Sequence, residues 1–193
     1  MGRAKEFDVD VVKETALALF VRQGYDRTGV SEIEVATGVG RKGLYNTFGD
    51  KGGLFGQALD VYVEGAIEHV LAPLETEGAG RAEIERILRG LASPKGHLKD
   101  NRGCLLCLTS ESEAMRSQEI TRRVRGYFKR LRSAFANALR GASASGDLSA
   151  QHDPDVLSDF LVGAVIGLSA MARAGRPRGQ IQHYIDTVLA SLD

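Results

Sequence analysis

The 193-residue chain has no tryptophan, two cysteines and four prolines, and neither charge sign prevails, since 25 Lys and Arg stand against 25 Asp and Glu. Each scarcity excludes something. Two cysteines three positions apart, in "GCLLCL", do not form the disulfide framework of a small secreted domain. Few prolines and few β-branched clusters leave helices uninterrupted and give no strand pattern. Balanced charge provides no global attraction to a polyanion or a membrane surface, so any such binding must come from a local patch. The most apolar stretch, "FLVGAVIGLSAMA", reads as too short to cross a bilayer and runs at once into "RAGRPRG", so no membrane partner is expected. The charged start "MGRAKEFDVDVVKE" lacks the apolar run of a signal peptide, and a cytoplasmic location is expected. No paired carboxylates accompany a nucleophile, no phosphate loop occurs, and His69, His97, His152 and His183 are scattered, so neither an enzyme nor a cofactor is expected.

What is present is helical periodicity. Val9, Val12, Ala16, Leu19 and Phe20 recur at spacings of three and four, and Gly24 marks the end of a first helix. "SEIEVATG" predicts a short second helix, with Ser31 and Glu34 in capping-box relation and Gly38 as its stop. "RKGLYNTF" predicts a third, with Leu44 and Phe48 on one face. Asp50 caps a fourth, whose inner stripe is Leu54, Phe55, Ala58, Leu59, Tyr62, Ala66, Val70 and Leu74, ending near Pro73. A fifth runs from Arg81 to Leu91, a sixth begins near Gly103, and a seventh spans Gln118 to Gly141. An eighth, from Asp155 to about Ala174, is apolar on most sides and so is buried on two fronts. Pro177 opens a ninth. The expected fold class is all-α, with about nine helices.

Helices one to three, joined by glycine turns, have the outline of a helix-turn-helix. The block "ALFVRQGYDRTGVSEIEVATGVGRKGLYNTFGDKGGL" resembles the N-terminal domain of the TetR family of transcriptional regulators, through Phe20, Gly24, Tyr25, Thr28, Val30, Ile33, Ala36, Gly38, Val39, Leu44, Tyr45, Phe48, Lys51 and Leu54. The resemblance implies a homodimeric repressor with a DNA-binding domain over 1–52 and an effector-binding and dimerisation domain over 53–193. Helix three then enters the major groove of a double-stranded, pseudo-palindromic operator, and a small-molecule effector releases it. Leu44 and Phe48 anchor helix three, which leaves Arg41, Lys42, Tyr45, Asn46 and Thr47 toward a groove. Arg41 suits a guanine and Asn46 an adenine or a phosphate. Lys51 at a helix N-terminus, and Ser31 from helix two, suit phosphates, and Thr28 and Gly43 complete the expected DNA-facing set. Two positions depart from the family pattern: Glu34 replaces the usual alanine, and Gly40 the usual hydroxyl cap of helix three. Residues 1–60 carry eight Lys/Arg and nine Asp/Glu, so non-specific DNA affinity should be weak. That acidic balance also admits an adaptor that keeps the fold without binding DNA.

"NRGCLLCLTSESEAM" resembles the start of helix six in a subgroup of the family. Cys104 falls where unpaired amides stabilise a thiolate, Arg102 is near, and Cys107 shares its face. A redox- or electrophile-sensing pair is one reading; two small apolar residues at a tight helix crossing is the other. With only His97 near as a further ligand, no metal site is expected. Tyr62, Leu105, Leu108, Met115, Tyr127, Phe128 and Phe160 suit an effector cavity among helices four to eight, or plain core. Phe160, Leu161, Val165, Leu168, Ile181, Ile185 and Val188 are the expected dimer interface.

Overall fold

The computed structural model describes residues 7–93 and 102–193. Within them the chain is all-α, with nine helices and no strand. A three-helix corner comprises α1 (Val9–Gln23), α2 (Val30–Thr37) and α3 (Arg41–Phe48). The long α4 starts as Lys51–Ala66, widens into a π turn at Ile67–Leu71 and closes with Ala72–Glu75. Then come α5 (Arg81–Leu91), the short α6 (Leu105–Thr109), a 3-10 turn (Glu113–Arg116), α7 (Gln118–Ser145), α8 (Pro154–Arg173) and α9 (Arg178–Ala190).

Side-chain caps set several of the starts. Asp8 accepts the Asp10 amide at 2.9 Å, Asp50 accepts Gly53 at 2.8 Å and Asp153 accepts Asp155 at 2.8 Å, each serving an amide without a helical partner. Three ends differ from expectation. First, α2 begins at Val30 with Gly29 at the N-cap, where the Glu32 carboxylate accepts the Gly29 amide at 3.0 Å as one half of a capping box, and Ser31 and Glu34 are released from that role. Second, α4 passes through Pro73, because the preceding turn relaxes to an i to i−5 bond from Ala72 to Ile67. Third, α7 continues past Gly141. A Cβ there would collide with the Ala79 carbonyl oxygen, so this glycine admits a close approach and does not stop the helix; the stop is Gly146, which is left-handed at φ 82°.

The corner and the rest of the chain share one core. Phe20 of α1 meets Phe55 of α4 edge-on with centroids 4.8 Å apart, and Tyr25 lies 4.9 Å from the same ring. Fully buried Phe20, Phe55, Leu59, Leu71, Phe135, Leu168 and Ile185 carry that core through to α9, each contributing roughly 1.5–3 kcal/mol by burial. Bidentate pairs lock α4 to α7: Arg123 to Asp60 at 2.6 and 2.9 Å, and Arg130 to Glu75 at 2.7 Å twice. α4 thus begins against α3 and ends against α7.

α8 corrects two expectations. At 20 residues and mean hydropathy 1.6 it does reach the length and composition of a bilayer span, although Leu161, Ala164, Leu168 and Ala172 face the protein core. Of the expected interface residues, Leu161, Leu168, Ile181, Ile185 and Val188 are buried within the protomer, so they cannot also face a partner. The other two expected residues, exposed Phe160 and half-buried Val165, do lie outward, on an apolar face with Val156 and Ile166.

Candidate functional site

α3 presents two faces, as its apolar spacing requires. Leu44 and Phe48 are buried, while Arg41, Lys42, Tyr45 and Asn46 are exposed and Thr47 is half-buried. Gly40 at the N-cap has no side chain to serve the helix start. Glu34, from the last turn of α2, does so across the intervening turn: its Oε1 accepts the Arg41 amide at 2.6 Å. Its other oxygen lies 3.5 Å from the Arg41 guanidinium, which is also 3.5 Å from Ser31 Oγ. The two departures from the family pattern therefore compensate one another, and Ser31, Glu34 and Arg41 form one cluster. Sequence reading singled out Glu34 as an oddity without finding this partnership, which bridges seven positions across a glycine turn.

Other expected DNA contacts are placed differently. Thr28 is fully buried and its hydroxyl donates to the Gly24 carbonyl at 2.6 Å, so its side chain belongs to the interior. Lys51 donates to the carbonyls of Tyr25 and Thr28 at 3.0 and 3.1 Å and lies 4.1 Å over the Tyr25 ring. It ties the start of α4 to the turn after α1, with one of its three N–H groups left for other contacts. Gly43 is half-buried where a Cβ would crowd Val39 and Phe7, so it admits the Phe7 ring against α3.

The cysteines define a second corner. Cys104 is the N-cap of α6; its amide donates to Ser169 Oγ of α8 at 2.8 Å, and the next amide, Leu105, donates to the Tyr62 hydroxyl at 3.2 Å. That hydroxyl in turn points to Cys104 Sγ at 3.6 Å. The Cys107 thiol, aided by the Cys107 amide, Tyr62 and the Leu106 amide, holds the partly buried Cys104 thiol down at about 6, against the opposing effect of burial. Cys107 is pushed up, by its bond to Cys104 and by burial, and burial likewise raises Tyr62 and Tyr127. Arg102 contributes its carbonyl, which accepts from Arg173 at 2.8 Å. Gly103 at φ 68° lies so close to α8 that a Cβ would sit 2.8 Å from Ser169 Oγ.

The residues expected around an effector do not come together as a set. Tyr62, Leu105 and Tyr127 gather at the thiol corner, with Phe128 edge-on to Tyr127 at 5.7 Å. Leu108 packs against Gly24 just after α1, Met115 lines a surface groove with Arg122 and Arg125, and Phe160 is exposed on α8. A cleft of about 780 Å³ lies instead between the three-helix corner and the start of α7, with Tyr25, Tyr45, Lys51, Gly56, Glu113 and Arg123 in its walls. His97 lies outside the described residues, and among those described no cluster of three His, Cys, Asp or Glu side chains suits a metal.

A short two-faced helix displaying two cations and an amide, set across a turn from α2 on a helical body, is the architecture of a helix-turn-helix regulator. The family of bacterial regulatory proteins named for TetR matches residues 14–58, and the tetracyclin repressor-like C-terminal domain matches residues 81–188. The chain belongs to the TetR family of transcriptional regulators. It is 27% identical over 194 residues to the uncharacterized HTH-type transcriptional regulator YezE of Bacillus subtilis, covering 100% of both chains. To the HTH-type transcriptional repressor ComR of Escherichia coli it is 25% identical over 189 residues, covering 97% of this chain and 90% of that one. A cysteine mutant of the TetR family regulator CifR, complexed with 26bp double-strand operator DNA, superimposes with TM-score 0.83 at 24% identity over 100% of each chain.

Proposed function

We propose that the protein is a cytoplasmic, homodimeric repressor that places α3 of each protomer in one half-site of a pseudo-palindromic operator. The observation that carries this is the exposure of Arg41, Lys42, Tyr45 and Asn46 on one face of a helix whose opposite face, Leu44 and Phe48, is buried. Arg41 reads a guanine edge, while Lys42, Tyr45 and Asn46 hold backbone or base edges. Ser31 flanks them, and Thr47 and the remaining N–H of Lys51 lie at the margin. Residues 1–52 then form the functional DNA-binding unit, and 53–193 the part that dimerises and receives a signal. The relatives named as repressors support the same direction of control, and the operator-bound CifR mutant shows that a chain of this fold can sit on double-strand DNA. Selecting genomic fragments with the purified protein and sequencing them tests it; a protein that enriches no motif with two related half-sites is not this repressor. The adaptor reading predicts that outcome.

The homodimer is proposed to form across the outer face of α8, where Val156 is 66% and Phe160 43% exposed. Phe160→Asp should convert a dimer to a monomer in sedimentation, and an unchanged dimer moves the interface elsewhere. A signal reaching α4 would shift α3 relative to its dimer mate, since α4 joins the recognition corner to α7; by linkage, DNA and effector then weaken each other equally. An effector that saturates the protein without changing operator affinity would refute this coupling.

A second reading of the input rests on the thiol corner. A Cys104 thiol held below its ordinary range suits capture of an electrophile as a stable adduct; a peroxide instead oxidises it to a sulfenic acid, which the Cys107 thiol alongside attacks to form a disulfide with loss of water. Cys104 is also bonded through its amide to Ser169 of α8, which gives such chemistry a direct contact with the proposed dimer helix. Loss of DNA binding on peroxide treatment that Cys104→Ser abolishes supports it; an identical response in Cys104→Ser rejects it.

A further inference from the structure

The guanidinium proposed to read DNA already has a partner in the free protein, and this partner is an acid on the DNA-facing side. Glu34 accepts the Arg41 amide at 2.6 Å and approaches the Arg41 guanidinium at 3.5 Å, with Ser31 Oγ at the same distance. The arrangement does two separable things. One oxygen replaces the hydroxyl cap that Gly40 lacks. The other places a negative charge beside Arg41, whose side chain is 55% exposed.

We propose that Glu34 is a specificity-determining positioning residue, whose carboxylate restrains Arg41 from indiscriminate phosphate contacts and reserves it for a guanine edge. An unrestrained arginine on this surface would bind any phosphate it met and so strengthen sequence-independent binding. Beside Glu34, a phosphate offers Arg41 only the exchange of one anion for another, while the displaced or adjacent carboxylate is repelled by the backbone charge. A guanine accepts two hydrogen bonds through neutral atoms, so Arg41 can use N–H groups not facing Glu34 without forcing two anions together. Glu34 therefore weakens binding to arbitrary DNA more than binding to the operator.

This proposal rests on the DNA-binding reading, and one experiment separates the two. Wild type, Glu34→Gln, Arg41→Ala and the double variant are titrated by fluorescence anisotropy against the selected operator duplex and a scrambled duplex of equal length, over a range of salt concentrations. Glutamine keeps an oxygen for the Arg41 amide, so the cap persists while the charge goes. Glu34→Gln should bind the scrambled duplex roughly five- to tenfold tighter, with a salt slope steeper by about one for each protomer that gains a phosphate contact. Operator affinity should rise less than threefold, so discrimination falls, and in the Arg41→Ala background the Glu34→Gln gain should vanish. A correctly folded Glu34→Gln that leaves scrambled-DNA affinity unchanged or weakened overturns the proposal, as does a gain that persists without Arg41. Wild type that binds neither duplex overturns the DNA-binding reading and this one with it.

Discussion

α3 and α6 are two short helices that begin without a hydroxyl at the capping position, Gly40 in one and Cys104 in the other, and each borrows a partner from a neighbouring helix. At α3 the partner is a carboxylate, Glu34; at α6 the partners are two neutral hydroxyls, Ser169 and Tyr62. The difference follows from solvent. Water screens a charge at the exposed corner, whereas at the partly buried corner hydroxyls satisfy the amides without bringing in an anion. Because no anion occupies the start of α6, its remaining dipoles can stabilise the Cys104 thiolate. At α3 the equivalent electrostatic position is taken by Glu34. The same deficiency of a capping hydroxyl thus puts an anion beside the exposed Arg41 at one corner and leaves amide dipoles facing a thiol at the other.

The largest effect should come from removing the side chain that the exposed corner presents. Arg41→Ala should lower operator affinity by about 30-fold or more, because each of two protomers loses one bidentate base contact worth about 1–3 kcal/mol, and should abolish site preference. Measurement against operator and scrambled duplexes checks it, and retained preference would remove Arg41 from the reading face. Next is the buried corner's backbone. Gly103→Ala, forced into positive φ and against Ser169 and Arg173, should cost about 1–3 kcal/mol in chemical denaturation. The two caps then compare directly. Ser169→Ala leaves the Cys104 amide without its acceptor inside the protein and should cost about 1–3 kcal/mol, whereas Glu34→Ala exposes an amide that water can reach and should cost well under that. Equal losses would mean that burial does not distinguish the corners.

The thiol provides the finest test. With Cys104 held at about 6 instead of the ordinary 9.0, its alkylation by iodoacetamide should rise with pH around a midpoint near 6, and Tyr62→Phe, losing a donor to the thiolate, should move that midpoint up. The folded value is depressed, so the stability from Cys104 ionisation is fully present above 9, declines as pH falls through the interval, and is gone below about 6. Cys107, which is raised, counteracts this only above its own ordinary 9.0. A midpoint near 9 for Cys104 would leave the pair as packing residues.

Much of the fold was legible because helices are written in local spacing. The stripe from Leu54 to Leu74 is buried at every position but half-buried Tyr62, and Asp50 caps α4 as its placement before that stripe suggests. Glycines were less legible, since one residue serves opposite purposes. Gly38 and Gly146 end helices in left-handed geometry, yet Gly141 lies inside one, making room for Ala79. Gly53 belongs with Gly141: a Cβ there would collide with the Phe48 carbonyl oxygen, so it holds α4 tightly to α3.

The site divides along the same line. Exposure of Arg41, Lys42, Tyr45 and Asn46 followed from the burial of Leu44 and Phe48, a property of one helix and its periodicity. The roles of Thr28, Lys51 and Glu34 did not, because each depends on a group brought in from another element: the Gly24 carbonyl, the Tyr25 and Thr28 carbonyls, and the Arg41 amide. By itself, the sequence determined the helices, their inward faces and the family likeness, all of which are encoded in near neighbours along the chain. Tertiary structure alone decided which apolar residues of α8 and α9 are core, which cations already have partners, and which thiol is held below its ordinary range. Those properties depend on what lies a few ångströms away across helix crossings, and that distance is set by the packing of the whole fold.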